Sequence, residues 1–368
     1  GISYARLGKR IPKDSPEFQY VRAGMGVRAG FLAGWLMLWA DVVSISAVSL
    51  GFAGYVHELV GVPIVLAALG LLVAVAFVAW LGIRESVALV AVMSLIEIGG
   101  LLVVIIIGVP HWGEHPLLES AKGVPGIWSA AALIFFAYLG FDELGNLAEE
   151  MKHPERDLPR AVLLSVAIST VLYLFVAVSA VSLVGWQVLS SSSAPLADAV
   201  EGALGQRGRL ALGFIALAAT ANTVLLLLVS VSRSFYGMAQ SGALPGVLGR
   251  IGRRHTPWVS ILLVWGVSSA FLAIGRIATV AQITNFTTLA AFAMVNLSLV
   301  WVLRKELRPA RNGGWRQARA LAQPIMGAVT CLWLIVLVGW LAILLGLVFV
   351  AAGVGMGKWA EGRKRVAA

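Results

Sequence analysis

Apolar runs of membrane-spanning length follow one another along this chain and leave it few ways to fold. Residues 64–81 read IVLAALGLLVAVAFVAWL without a single charge. About 20 apolar residues in a helix cross the hydrocarbon of a bilayer, and such runs recur from residue 29 to residue 358. Only helices and closed barrels satisfy their backbone in lipid. The runs lack the period-two alternation of barrel strands. The fold class is therefore all-α and polytopic, a single transmembrane bundle of about ten helices over residues 1–368. Composition agrees: 12% of residues are charged, against about 25% in a soluble domain.

The spans read as 29–56, 61–82 (returning to Arg84), 86–109, 126–151, 160–186, 209–239, 257–275 and 278–303. Residues 195–204 suggest a short outer helix ahead of the sixth. The run 324–358 as one helix would reach about 50 Å against roughly 30 Å of hydrocarbon, so two spans with a turn near Gly339 are expected. Residues 1–28 hold the tail of an earlier helix, Gly1–Leu7, which implies a preceding segment. A basic stretch follows, in which 17–26 either lie along the membrane interface or are solvated.

Net charge is +10. In a soluble protein that would suggest nucleic acid. Here Lys9, Arg10, Lys13, Arg22 and Arg28, then Lys152, Arg156 and Arg160, then Arg250, Arg253 and Arg254, then Arg304, Lys305, Arg308, Arg311, Arg316 and Arg319 fall in alternate loops. The positive-inside rule puts those loops and both ends of the chain in the cytoplasm, with the spans in the cell membrane. The partners expected are the lipid bilayer and a small-molecule substrate, an amino acid or an amine, with no nucleic acid. Cys331 is the sole cysteine, so an internal disulfide is excluded. The loop histidines lack metal-ligand spacing. No P-loop, HExxH or Ser/His/Asp set is present, so neither an enzyme nor an ATP-driven pump is expected. No cofactor or metal is expected beyond a coupling H⁺ or Na⁺.

One span carries what a lipid-facing helix does not. Residues 135–143 read FFAYLGFDE. Gly140 weakens the helix, and charges at bilayer depth normally face a cavity or a partner. A helix opening near 139–142 frees carbonyls for an ammonium group, and the amides that start the second half can meet a carboxylate. Phe136, Tyr138 and Phe141 would wall such a site, which suits a zwitterion. The alternative is a continuous helix in which Asp142 caps the second half. Asp41 and Glu97 are the other deep acids. Gly99 and Gly100 would let a neighbouring helix approach and bury Glu97, a candidate for proton coupling. Thr220, Asn222 and Thr223, and Thr284, Asn285, Thr287, Thr288 and Asn296, either line the site, coordinate Na⁺, or bond back to their own helices.

The segment FFAYLGFDELGNLAEEMKHPERDLPRAVL resembles the sixth helix and following loop of amino acid–polyamine–organocation (APC) superfamily permeases, most of all those like cationic amino acid transporters. SYARLGKRIPKDSPEFQYVRAGMG and SRSFYGMAQSGALP agree with it. The resemblance implies a LeuT-like inverted-repeat fold lacking its first helix and most of its second. Residues 29–109 would be helices three to five, 126–303 helices six to ten, and 324–358 helices eleven and twelve. It implies secondary transport by alternating access. The carbonyls of Phe136, Ala137 and Leu139 would then hold the substrate amino group, with Tyr138, Gly140, Phe141 and Asp142 beside it and Phe141 near the gate. Glu97 would stand about where several relatives carry a coupling Lys. A polyamine or organic amine carrier, or a truncated membrane protein that transports nothing, are the alternatives.

Overall fold

The computed structural model describes residues 1–13, 15–82, 87–240, 242–307 and 314–367. Arg84, Arg308 and Arg311 lie outside them, as does the side chain of Arg316. The described chain is helical throughout, with no strand among the described residues: α1 (Ile2–Gly8), α2 (Pro16–Met25), α3 (Val27–Val60), α4 (Ile64–Leu81), α5 (Val87–Gly108), α6 (Gly123–Ile134), α7 (Pro154–Ser191), α8 (Pro195–Gln240), α9 (Trp258–Leu272), α10 (Ile277–Leu307), α11 (Gly314–Leu337) and α12 (Trp340–Ala367). Among these residues, nine helical segments are long and apolar enough to cross a membrane, and α9 is a shorter apolar helix. The protein is an all-α, multi-pass membrane protein.

Local chemistry sets the helix ends. α4 starts after Pro63 and stops at Gly82. α7 opens with Pro154 and carries Glu155 and Asp157 in its first turn, where proline needs no N–H partner and carboxylates meet the positive helix end. α8 begins at Pro195 and bends at Gly205, which separates the expected outer helix from the span. The 324–358 run divides at Gly339, between α11 and α12.

The chain forms two compact units. The first comprises Gly1–Asp41, Lys122–Ser169 and Ala281–Ala368, and the second Val42–Ala121 and Thr170–Val280. In the second unit, α5 packs on α8. Val104, Val176, Val200 and Leu212 form a buried cluster there, flanked by Leu101 and Ile215. Ser46 and Ser268 tie α3 to α9, each hydroxyl donating to a backbone carbonyl across the pair. In the first unit, α11 lies against α6 and α1. α12 meets α3 through a small residue facing an aromatic stripe. Phe31, Trp35 and Trp39 run along α3, and a Cβ at Gly353 would come within 2.5 Å of the Trp35 ring. Overpacking of this kind costs about 1–3 kcal/mol. Gly353→Leu is therefore expected to lower the melting temperature of the solubilised protein by several degrees, while Gly355→Leu, which meets open space, leaves it unchanged.

Candidate functional site

The helix that begins at Gly123 is interrupted as the residues require. α6 ends at Ile134, and a 3-10 turn covers Phe135–Tyr138. Leu139 is extended, with φ −65° and ψ 146°, and Gly140 takes φ +114°. That φ is strained for a residue with a Cβ and open to glycine. The chain then resumes as a 3-10 helix, Glu143–Glu150. The expected break is present, and the continuous-helix alternative is not. The second half differs from expectation in being a 3-10 helix. Asp142 also caps backward: its Oδ1 accepts from the Gly140 N–H at 3.0 Å, so it closes the turn of the break rather than capping the helix ahead.

A break leaves carbonyls without helical partners. Phe136 O takes the Leu139 N–H at 3.3 Å. Asn285 of α10 supplies two more bonds, its Nδ2 donating to Ala132 O at 2.7 Å and to Leu133 O at 3.2 Å. Two carbonyls on one side force the amide nitrogen toward α6 and turn Oδ1 away. That Oδ1 has no protein partner among the described residues, nor have the hydroxyls of Thr284 and Thr288, one residue before it and three after. All three residues are fully buried. Unpaired buried polar atoms cost about 1–3 kcal/mol each, so three of them within five residues of α10 are unusual in a purely structural element. Thr287 and Asn296 are satisfied in place: Thr287 donates to Thr284 O at 2.8 Å, and Asn296 donates to Phe292 O at 2.8 Å while accepting from Ser3.

Aromatic rings close the break on one side. Phe292 of α10 lies 5.5 Å from Phe141 and 5.9 Å from Phe135, centroid to centroid. Tyr4 of α1 stands edge-on to Phe292 at 5.1 Å, to Phe141 at 5.5 Å and to Tyr20 at 5.7 Å. Its hydroxyl donates to Glu17 Oε1 at 2.7 Å. Phe136, Tyr138, Leu139 and Phe141 are half-buried here, Ala137 and Gly140 exposed, and Asp142 buried. The charges of Glu143, Asp142 and Glu17 all act on Asp41 of α3, so the first unit gathers four acids near the break.

Sequence reasoning missed Tyr4, Glu17 and Phe292. The solvated alternative for residues 17–26 is replaced by a packed helix, α2, with Glu17, Tyr20 and Val21 buried. The spacing 17, 20, 21, 24 marks one helical face, and that signal was available.

The remaining candidates belong to the second unit. Glu97 is exposed on α5, contrary to the burial expected from its glycines. A Cβ at Gly100 would press on Ile215, whereas Gly99 faces open space. The packed stripe of α5 ends at Gly100, one turn short of Glu97. Thr220 and Thr223 donate back to their own helix, to Ala216 O at 2.6 Å and Ala219 O at 3.0 Å. Asn222 is half-buried on the same helix.

Comparison with known proteins gives a consistent picture. A family model described as amino acid permease matches residues 1–360. The chain is 26% identical over 380 residues to the branched-chain amino acid permease BcaP of Bacillus subtilis, covering 96% of this chain and 80% of that protein. It is 29% identical over 360 residues to the methylthioribose transporter of the same organism, covering 90% and 76%. It is 30% identical over 344 residues to human cationic amino acid transporter 4, covering 85% and 53%.

Proposed function

Because this chain belongs to the amino acid permease family, a family of transporters rather than enzymes, we propose that it carries amino acids across the cytoplasmic membrane by alternating access, driven by a proton or cation gradient. The observation that carries the reading is the break at Leu139–Gly140, with Asn285 of α10 bonded to the end of α6 ahead of it and unpaired oxygens on Thr284, Asn285 and Thr288 of that same α10 stretch. An α-ammonium needs acceptors, which Asn285 Oδ1 and the carbonyls of Phe136, Ala137 and Leu139 offer. An α-carboxylate needs donors, which the Thr284 and Thr288 hydroxyls and the amides around Phe141 offer. Phe141 and Phe292 give the apolar wall for a side chain, and Tyr138 completes the lining. Orientation follows from the basic loops, with both described ends on the cytoplasmic side.

A second reading, an organic amine carrier, draws support from the four acids near the break, which would neutralise a substrate lacking a carboxylate. Proteoliposome uptake of leucine, arginine and putrescine, with and without a pH gradient, separates the two. Uptake of putrescine alone would reject the amino acid reading, and uptake of none of the three would reject carriage of these classes.

For coupling, Glu97 is the proposed proton site. A carboxyl in a membrane span is a candidate for a proton relay, and Glu97 lies in such a span. Glu97→Gln is expected to abolish accumulation driven by a pH gradient while counterflow exchange persists. Accumulation equal to wild type removes Glu97 from coupling. If Na⁺ drives transport instead, Thr220, Asn222 and Thr223 are the proposed ligands, since a hydroxyl that donates backward keeps lone pairs for a cation.

A further inference from the structure

Glu17 is an acid to which the amino acid reading gives no task. It sits on α2, outside the membrane spans, and is only 7% exposed. α2 is anchored at its far end on α10: the Ser298 hydroxyl donates to Tyr20 O, and Gly24 has no room for a Cβ against Ser298. At its near end it rests on the 3-10 half of the broken helix. The Ser15 N–H donates to Asn146 Oδ1 at 3.1 Å, Asn146 Nδ2 donates to Glu143 Oε2 at 2.8 Å, and a Cβ at Gly145 would come within 2.6 Å of Pro16 Cγ. Glu17 follows Pro16, so a buried ionisable group stands at the seam between α2 and that half-helix. Its carboxyl accepts from the Tyr4 hydroxyl.

The titratable and charged groups around it are Tyr4 from α1, Tyr20 from α2 itself, Asp142 and Glu143 from the 3-10 segment, and Asp41 from α3. α10 presents Ser298 and Phe292 there, neither of them ionisable. Burial pushes the Glu17 carboxyl up to about 8, the charge of Asp142 adds to this, and the Tyr4 hydrogen bond works against it. Ionising Glu17 places a second carboxylate beside Asp142 in a site with little water, which like charges resist.

We propose that Glu17 makes the seam between α2 and the half-helix after the break, joined by Ser15–Asn146 and Pro16–Gly145, a proton-dependent clasp, closed while Glu17 holds its proton and loosened when its carboxylate forms beside Asp142. The bond from Tyr4 of α1 favours that carboxylate and so tunes the pH at which the seam loosens. For its consequence this rests on the transport reading. Release of α2 frees the half-helix on the side of the basic loops, so the transport rate follows pH on that side.

The test measures the full chain in lipid nanodiscs from pH 5 to 9 as wild type, Glu17→Gln and Tyr4→Phe. The folded carboxyl keeps its proton up to about 8, whereas the unfolded one releases it near the ordinary 4.5. Stability from this group is thus complete below about 4.5 and is lost as pH rises through about 8. Wild type is expected to lose melting temperature across that window. Glu17→Gln, neutral throughout, loses the slope, and Tyr4→Phe moves the fall to higher pH. A second readout uses Ser15→Cys with Asn146→Cys, both exposed positions, in a Cys331→Ala background. The crosslinking rate relative to the same pair carrying Glu17→Gln is expected to fall severalfold from pH 6 to pH 9. Equal slopes in wild type and Glu17→Gln, or a pH-independent crosslinking ratio, overturn the proposal. If Glu17→Gln does not fold, a Tyr4→Phe profile that superimposes on wild type overturns it and a shifted one supports it. None of these readouts requires transport. A protein that carries no amino acid yet loses its pH slope with Glu17→Gln keeps the clasp and loses the transport reading, and the opposite result does the reverse.

Discussion

Gly140→Ala is expected to cut amino acid uptake by about tenfold to a hundredfold, because strain of about 1–3 kcal/mol falls on a backbone conformation that the site requires. The substitution is a clean probe. A Cβ at Gly140 meets no atom within 4 Å, so crowding contributes nothing and only φ +114° is at stake. Relief of the strain would rotate the Leu139–Gly140 linkage. That would withdraw the Gly140 N–H from Asp142 Oδ1, leave a buried carboxylate less well paired, and move the carbonyls that precede it. Uptake and melting temperature measured together check the expectation. Wild-type uptake by Gly140→Ala would mean that the break is not the substrate site. An unstable protein with normal uptake per folded molecule would make the glycine structural only.

Asn285→Leu is expected to have a comparable effect by a different route. Leu has similar bulk but cannot donate, so Ala132 O loses the Asn285 bond and Leu133 O keeps only the Phe135 N–H at the end of α6. A stranded carbonyl in an apolar setting costs about 1–3 kcal/mol, partly offset by removing the unpaired Oδ1. α6 would extend or fray to satisfy it, shifting the start of the break. The expected result is a lower melting temperature and at least a severalfold loss of uptake. Thr288→Val serves as the companion. Its hydroxyl holds nothing in the fold among the described residues, so it is expected to raise KM for the amino acid with little change in stability. An unchanged KM would remove the α10 hydroxyls from the substrate site.

The spans, the bend that sets off residues 195–204 and the division at Gly339 were legible in the sequence, because each depends on apolar run length and on local Pro and Gly. The interruption near Gly140 was legible for the same reason: a glycine followed at once by two acids contradicts a lipid-facing helix over a few residues. The closure of that interruption was not. Asn285 and Phe292 come from a helix far along the chain, and Tyr4 from the other end. The backward cap by Asp142 needed backbone angles that composition does not specify. For Glu97 the glycines beside it predicted burial, but whether a glycine receives a neighbour depends on which helix arrives and where its stripe ends.

Run length, proline and glycine alone place this chain in a membrane, show where its helices run and mark one of them as broken. These are consequences of hydrophobic burial and of the backbone's own hydrogen-bond needs, which operate within one segment at a time. Packing is what brings Asn285 to the end of α6 and buries Glu17, on a stretch that by sequence either lies along the interface or is solvated. Those outcomes depend on which distant polar groups are brought within about 3 Å of one another, and that proximity exists only once the helices have packed.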